Sequence, residues 1–443
     1  MKYAALCLLL LLFGCKKEPP VEPPESKTLA LKAEDASCTE AWLKVSCTER
    51  PTTLRLLRDG QRVSDFQLLA SDSLVVNEGL LPKHTYAYQL QKLNADSTVI
   101  ETSASVHVTT MDTSSHAWTF IAETLGVTSS VLYDVAIISE NNVWAVGEIF
   151  LNDSTGQLDP ILYNAAHWDG TQWDIRRITW QGLPAPIRFI FAYNENDIWF
   201  GMGYLIHWDG TAFREVVVPQ FYGVGSNKMW GSPDGKLYVV GNNGTIAYSP
   251  NRGATWQRVE SGTRLDVYDV YGSGANVLAV AAEQFVSSNR RIMSLAPTRA
   301  DSIPSTGIPY SLHGVWCTSR AYYVVGAGMY ATSSLSSSTI WKALTPQVTN
   351  YYVYTIRGRA RNDIIAAGAF GEVLHFNGVS WKSFRTRVAI AAGSYQGVAM
   401  NDHLCVVVGY DDPFAVIAIG RRLHCDNASN ASRRRNASRD WMR

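Results

Sequence analysis

A short apolar strand ending in a small residue occurs seven times along the chain, and this repetition constrains the fold more than any other feature. The copies are Asn142-Val143-Trp144-Ala145-Val146-Gly147, Asp197-Ile198-Trp199-Phe200-Gly201, Leu237-Tyr238-Val239-Val240-Gly241, Val277-Leu278-Ala279-Val280-Ala281, Tyr322-Tyr323-Val324-Val325-Gly326, Ile364-Ile365-Ala366-Ala367-Gly368 and Cys405-Val406-Val407-Val408-Gly409. Their last residues, 147, 201, 241, 281, 326, 368 and 409, are spaced by 54, 40, 40, 45, 42 and 41. A unit of this length cannot bury its apolar faces alone. It has the size of one four-stranded blade that packs on its neighbours around an axis.

Most units have an apolar strand upstream, at 133–138, 188–193, 267–271, 313–317 and 352–356. These are expected to line a central channel. Downstream comes a hairpin with an aromatic landmark: His167-Trp168-Asp169-Gly170-Thr171-Gln172-Trp173, His207-Trp208-Asp209-Gly210-Thr211-Ala212-Phe213 and His375-Phe376-Asn377-Gly378-Val379-Ser380-Trp381. Asp-Gly and Asn-Gly supply the positive φ angles of a tight turn. The third unit carries Ser249-Pro250-Asn251-Arg252-Gly253-Ala254-Thr255-Trp256, which resembles the Asp box (Ser-x-Asp-x-Gly-x-Thr-Trp) of sialidase-like propellers, with Asn251 in the aspartate position. Its expected role is structural: Ser249, Asn251, Gly253 and Thr255 shape the turn and Trp256 packs between sheets. The last unit lacks a Trp-bearing fourth strand, and one stands instead ahead of the first unit, at Ala117-Trp118-Thr119-Phe120. Pairing it onto the last unit would close the ring and remove exposed edges. The reading is an all-β chain with a seven-bladed propeller over 116–422. Six or eight blades stay open, because the fourth unit is degenerate.

Residues 28–112 read as a small β-sandwich, with alternating runs at 28–32, 41–47, 53–58, 73–77, 85–93 and 103–109 and a hairpin turn at Arg58-Asp59-Gly60-Gln61. The stretch Leu80-Leu81-Pro82-Lys83-His84-Thr85-Tyr86 resembles the tyrosine corner of fibronectin type III domains, through Leu80, Pro82 and Tyr86. That resemblance implies a tyrosine hydroxyl bonded to nearby upstream backbone, a core position for Trp42, and a spacer role. Cys38 and Cys47 flank one extended run and are expected to stay unbridged, because a strand holds its ends too far apart.

Lys2 precedes an apolar run from Ala4 to Phe13, then Gly14 and Cys15. The run is too short to span a bilayer and has the layout of a secretory signal peptide. Leu12-Phe13-Gly14-Cys15 resembles a lipobox, so residues 1–14 are expected to be removed and Cys15 lipidated. Residues 15–27, with Pro19, Pro20, Pro23 and Pro24, read as a tether. The resemblance implies export and outer-membrane anchoring, facing the periplasm or the cell surface. Residues 423–443 are low in complexity and read as a disordered tail with Asn-x-Ser patterns at Asn427, Asn430 and Asn436.

The formal net charge is zero, with 46% hydrophobic residues, so a sizeable core is available and nothing points to nucleic acid. A glycosidase needs two convergent carboxylates. Asp134, Asp266 and Asp269 lie near expected inner strands, but spacing alone brings no two together. Repeated His167, His207 and His375 are expected to be half-exposed rings packing beside their neighbours rather than metal ligands, since equivalent positions in different blades are far apart. No metal or cofactor is expected. The repeats together resemble bacterial extracytoplasmic propellers with bacterial-neuraminidase-type repeats, including the photosystem II stability/assembly-factor-like group. This implies a non-catalytic, monomeric binding or assembly scaffold that takes a protein or glycan at the propeller mouth. The other reading is a polysaccharide-active, glycoside hydrolase-like enzyme on a sialidase-like propeller. The spacing of 54 marks an insertion containing Asn152, Asp153 and Asp159. It is either a partner-binding loop or a tolerated surface insertion.

Overall fold

The computed structural model describes residues 29–285 and 289–423. Residues 1–28, with Cys15 and the tether, and the tail with Asn427, Asn430 and Asn436 lie outside the described residues. Apart from three short 3-10 turns, the regular elements among the described residues are strands. This follows from the alternating runs rich in β-branched and aromatic side chains. The chain divides into two units, residues 1–36 with 40–110 and residues 37–39 with 111–443.

The first unit holds two sheets. One has Leu29–Ala36, Glu40–Cys47 and Asp72–Glu78 in that order. The other runs Gln61–Leu68, Thr52–Arg58, Thr85–Leu93, Val99–Thr102, and Val106–Thr109 also pairs with Thr85–Leu93. Leu43, Val45 and Cys47 face one side by the two-residue period and join Leu54, Leu56, Tyr88 and Leu90 in the core. Trp42, expected in that core, is buried but outside this cluster. Asp59 and Gly60 take positive φ, 51° and 76°, in the two-residue turn that pairs Arg58 with Gln61. Two strands had no apolar alternation to announce them. Gln61–Leu68 is held partly by the Arg55–Asp65 pair at 2.9 Å, and Val99–Thr102 is largely exposed. Cys38, Cys47, Cys317 and Cys405 are buried free thiols.

The second unit contains, among the described residues, seven four-stranded antiparallel sheets, six of which run from an inner to an outer strand in chain order, while the last takes its fourth strand from ahead of the first sheet. Their inner strands are Thr128–Ser139, Phe189–Asn194, Ser226–Gly231, Asp266–Ser273, Leu312–Cys317, Val353–Ala360 and Gly393–Met400. Each packs beside the next, and the last packs beside the first. The repeated apolar strands are the second strands. Their side chains fill the spaces between sheets, as where Phe189 and Trp199 of the second sheet meet Met229 and Val239 of the third. The recurring glycine answers a close approach: a Cβ on Gly147 would lie 2.0 Å from the Val131 carbonyl oxygen.

The strand ahead of the first unit, Trp118–Leu125, is the fourth strand of the last sheet. It pairs with Phe414–Arg422 from Trp118 opposite Arg422 to Leu125 opposite Ala415. The fourth unit, degenerate in sequence, is complete in strands, with Asp266–Ser273, Asn276–Ala282, Arg290–Leu295 and Ala300–Ile303. No helix among the described residues is long and apolar enough to cross a membrane.

Candidate binding site at the channel mouth

A repeated irregularity builds the site. In six of the seven sheets among the described residues, the pairing of inner and second strands slips by one residue near the start of the inner strand. The slips fall between Leu132 and Asp134, Ser226 and Lys228, Val267 and Asp269, Leu312 and Gly314, Val353 and Thr355, and Tyr395 and Gly397. A bulge leaves one residue unpaired and re-aims its side chain. The extra residues are Tyr133, Asn227, Tyr268, His313, Tyr354 and Gln396. All six line one cavity of about 230 Å³, together with Arg188, Gln284 and Thr355. The second sheet has no slip here, since Phe189 and Ile190 pair in step with Gly201 and Phe200, and it offers Arg188 just before its strand.

The mouth is aromatic on one side. Tyr268 stacks on His313 with ring centroids 4.8 Å apart, and Tyr354 meets His313 edge-on at 5.1 Å. Tyr352 lies 4.6 Å from Tyr354 and 5.5 Å from Phe285, which is 71% exposed. His313 Nδ1 lies 2.8 Å from the Tyr354 carbonyl oxygen, so Nδ1–H donates and Nε2 keeps the lone pair. Burial holds this imidazole below its usual pKa, against the opposing pull of the Tyr354 carbonyl, and keeps it neutral. Elsewhere on the rim, Arg188 lies 4.2 Å over the Tyr133 ring, whose hydroxyl donates to Glu148. Burial, then Glu148, pushes that phenol up to about 12.

Two ion pairs close the channel below. Asp134 of the first sheet accepts from Ile190 N of the second at 3.0 Å and from Lys228 Nζ of the third at 2.6 Å. Asp269 of the fourth accepts from Val315 N of the fifth at 2.9 Å and, bidentately, from Arg357 of the sixth at 2.9 and 2.8 Å. Each carboxylate therefore ties three consecutive sheets. Burial pulls Arg357 down, but Asp269 outweighs it and leaves the guanidinium above its ordinary pKa. These are satisfied buried pairs, whose worth lies in fixing one arrangement more than in net stability.

Asp266, the third inner-strand aspartate, caps the Asn243 N–H at 2.9 Å and does not line this cavity. Nor do Asn152, Asp153 and Asp159. Asp153 accepts from Thr155 N and Oγ1 at 2.8 and 2.6 Å, Asp159 accepts from Arg177 at 2.5 Å, and Asn152 bridges to Leu158. In the third sheet Gly253 N donates to Ser249 Oγ at 2.8 Å, and Thr255 N and Oγ1 donate to Asn251 Oδ1 at 2.9 and 3.2 Å. Trp256 packs edge-on to Trp199 at 6.2 Å, and a Cβ on Gly253 would strike the Trp199 ring at 2.3 Å. In the first unit Leu81 N donates to Tyr86 Oη at 2.8 Å, beside buried Leu80 and ahead of Pro82.

The repeated histidines each pair with the residue opening a second strand: His167 with Asn142 at 3.0 Å, His207 with Asp197 at 2.8 Å and His375 with Asp363 at 2.8 Å. His167 and His207 stack on Trp144 and Trp199. His375 departs from the half-exposed ring expected, for it is fully buried in a polar junction. Among the described residues no group of three or more His, Cys, Asp or Glu has the arrangement of a metal site.

Sequence reasoning overlooked Lys228, Arg357 and the bulge ring. A signal existed: Tyr133-Asp134-Val135 recurs as Tyr268-Asp269-Val270, and each aspartate's cation follows 94 or 88 residues later, about two repeats on.

No family model matches the chain, and no curated protein matches it. Solved structures do. One described as YCF48 bound to D1 peptide has a TM-score of 0.53 at 16% identity, over 69% of this chain and 95% of that one. YCF48 from Cyanidioschyzon merolae has a TM-score of 0.50 at 12% identity, over 69% of this chain and 98% of that one. At such identity the likeness is one of architecture, and it places this all-β chain among propeller-type folds.

Proposed function

We propose that this chain is a non-catalytic binding scaffold of a bacterial envelope, and that its propeller mouth takes a segment of a partner protein. The observation carrying this reading is the ring of bulges. Six sheets repeat one backbone device and present four residue types with it: three tyrosines, one histidine, one asparagine and one glutamine. Constant geometry with varied chemistry suits recognition. Tyrosine and arginine are also the side chains that anchor protein interfaces. A propeller of similar fold bound to a peptide adds support. Against the hydrolase reading, Asp134 and Asp269 are each paired with a buried cation and a backbone N–H of another sheet.

In this reading the seven sheets are seven blades, the first unit is a fibronectin type III-like spacer with Tyr86 as its corner, and lipidated Cys15 holds the chain at the outer membrane. The test is a photo-crosslinking amino acid at Tyr268 or Tyr354 in cells. A discrete protein adduct, lost when Arg188 becomes Ala, is expected. Adducts no more specific than those from a control at Asn251 would overturn the mouth reading. Anchoring is tested separately, by loss of palmitate labelling in Cys15→Ala.

A further inference from the structure

We propose a second binding site at the opposite end of the channel, for a small monocarboxylate with an apolar body. This stands apart from the mouth reading. Beyond the ion pairs lies a cavity of about 390 Å³, walled by half-buried Phe191, Trp230, Tyr271 and Met400 and reached at its deep end by Lys228 and Arg357, which also border the mouth cavity. An apolar pocket of roughly 300–1,000 Å³ with a few convergent polar groups is the usual form of a small-molecule site.

Counting hydrogen bonds identifies the head group. Asp134 accepts one bond on each oxygen, from Lys228 and Ile190 N, and Asp269 is spent, accepting twice from Arg357 and once each from Val270 N and Val315 N. The cations are not spent. An ammonium has three donors and a guanidinium five. Lys228 gives one to Asp134, while Arg357 directs its Nη1 hydrogens to Asp269, Val315 O and Ile356 O and one Nη2 hydrogen to Asp269. Two Lys228 hydrogens, the Arg357 Nε–H and one Nη2–H therefore lack an acceptor among the described residues. Both groups are cationic, so the complementary head is an anionic acceptor making charge-assisted bonds. The rings and thioether of the wall take the apolar body.

The test is calorimetric titration of the full chain carrying Cys15→Ser, free of detergent, with 4-phenylbutyrate, 4-phenylbutanol and 4-phenylbutylamine. The acid should bind tightest and the alcohol more weakly, and the amine should give no heat. Trp230→Ala should weaken the acid about tenfold by removing apolar contact. Met400→Gln, nearly isosteric, should weaken it less, and Tyr268→Ala on the other mouth should leave it unchanged. Unaltered melting temperatures would show that each variant is folded. Equal binding of acid and amine, no heat at millimolar acid, or sensitivity to Tyr268→Ala without sensitivity to Met400→Gln would each refute the site. The mouth reading would survive any of these, because its crosslinks come from a different rim.

Discussion

The propeller-type unit buries aspartate at two kinds of junction, and they are built on different rules. In the channel each aspartate has one cation of its own, Lys228 for Asp134 and Arg357 for Asp269. At the seam where the ring closes, a single aspartate serves three bases. Asp363 accepts from Arg422 at 2.7 and 2.8 Å, from Arg359 at 2.7 Å and from His375 at 2.8 Å. Arg422 stacks on Trp118 of the closing strand at 4.4 Å. The contacts extend outward: His375 Nδ1 lies 2.8 Å from His116 Nδ1, and His116 Nε2 lies 3.2 Å from Ser380 Oγ. Since Asp363 can only accept, His375 donates to it from Nε2, His116 donates to His375, and Ser380 donates to His116. Burial works against the Asp363 charge, but His375, Arg422 and Arg359 hold its carboxyl down to about 2. The channel junctions are self-balanced pairs. The seam is a shared one, and removing its centre strands several groups at once.

The largest effect should expose that difference. Asp363→Asn leaves Arg422 and Arg359 without their shared carboxylate and should cost about 5 kcal/mol in urea unfolding. Asp269→Asn strands one arginine and should cost about 3 kcal/mol, the lower end for a broken buried pair. Asp134→Leu with Lys228→Met removes both charges and leaves only Ile190 N without its acceptor, so it should cost about 1–2 kcal/mol, less than either single change. An Asp269→Asn loss exceeding that of Asp363→Asn would reverse the comparison.

A conservative exchange sharpens it next. Arg357 grips Asp269 with both nitrogens of its fork, and a lysine cannot. Arg357→Lys should cost about 2 kcal/mol, the worth of a lost charge-assisted bond in a buried place. Arg359, a third exposed and also paired with Asp402, sits at the rim of the seam. Arg359→Lys should cost less than about 1 kcal/mol. Equal losses would mean that bidentate geometry in the channel contributes nothing.

How much of this could be read beforehand follows from which features repeat. The second strands were legible because an apolar run and a glycine recur at a steady period. The closing strand Trp118–Leu125 was legible because Trp118 supplied the landmark missing at the other end. The sandwich strand Gln61–Leu68 was not, because Arg62, Ser64, Asp65 and Gln67 leave little apolar alternation, although Phe66 pairs opposite Leu54 and packs against the core. At the site, Asp134 and Asp269 could be placed near the channel, but their partners lie two repeats away and differ in type, Lys228 in one case and Arg357 in the other. The bulge ring was hidden for a related reason: its residues share a backbone position, while only three of the six, Tyr133, Tyr268 and Tyr354, share a side chain. His375 looked like His167 and His207 until its neighbours Asp363, Arg422 and His116, distant in sequence, were brought around it.

The smallest effect separates the junctions by pH. His116 is held down to about 4, by burial first and His375 second, and burial also holds His375 below its ordinary value. Unfolded, both titrate near about 6.5. Between about 6.5 and 4 the unfolded chain therefore binds protons that the folded seam refuses, and stability falls as pH falls through that window. The Asp363 carboxyl adds its own loss only below about 3.8, as pH drops toward 2. The channel pairs contain no imidazole, so the seam should account for the larger part of the slope. Burial holds His167 and His313 low as well, and they should leave a residue of it. Unfolding free energy should drop by about 1 kcal/mol between pH 7 and 5, a figure reduced for the partly exposed His116 ring. His116→Gln should flatten the slope, and the Asp134→Leu, Lys228→Met pair should keep it. If the slope instead survives in His116→Gln and disappears in the channel variant, the pH sensitivity belongs to the axis and the contrast between shared and self-balanced junctions fails.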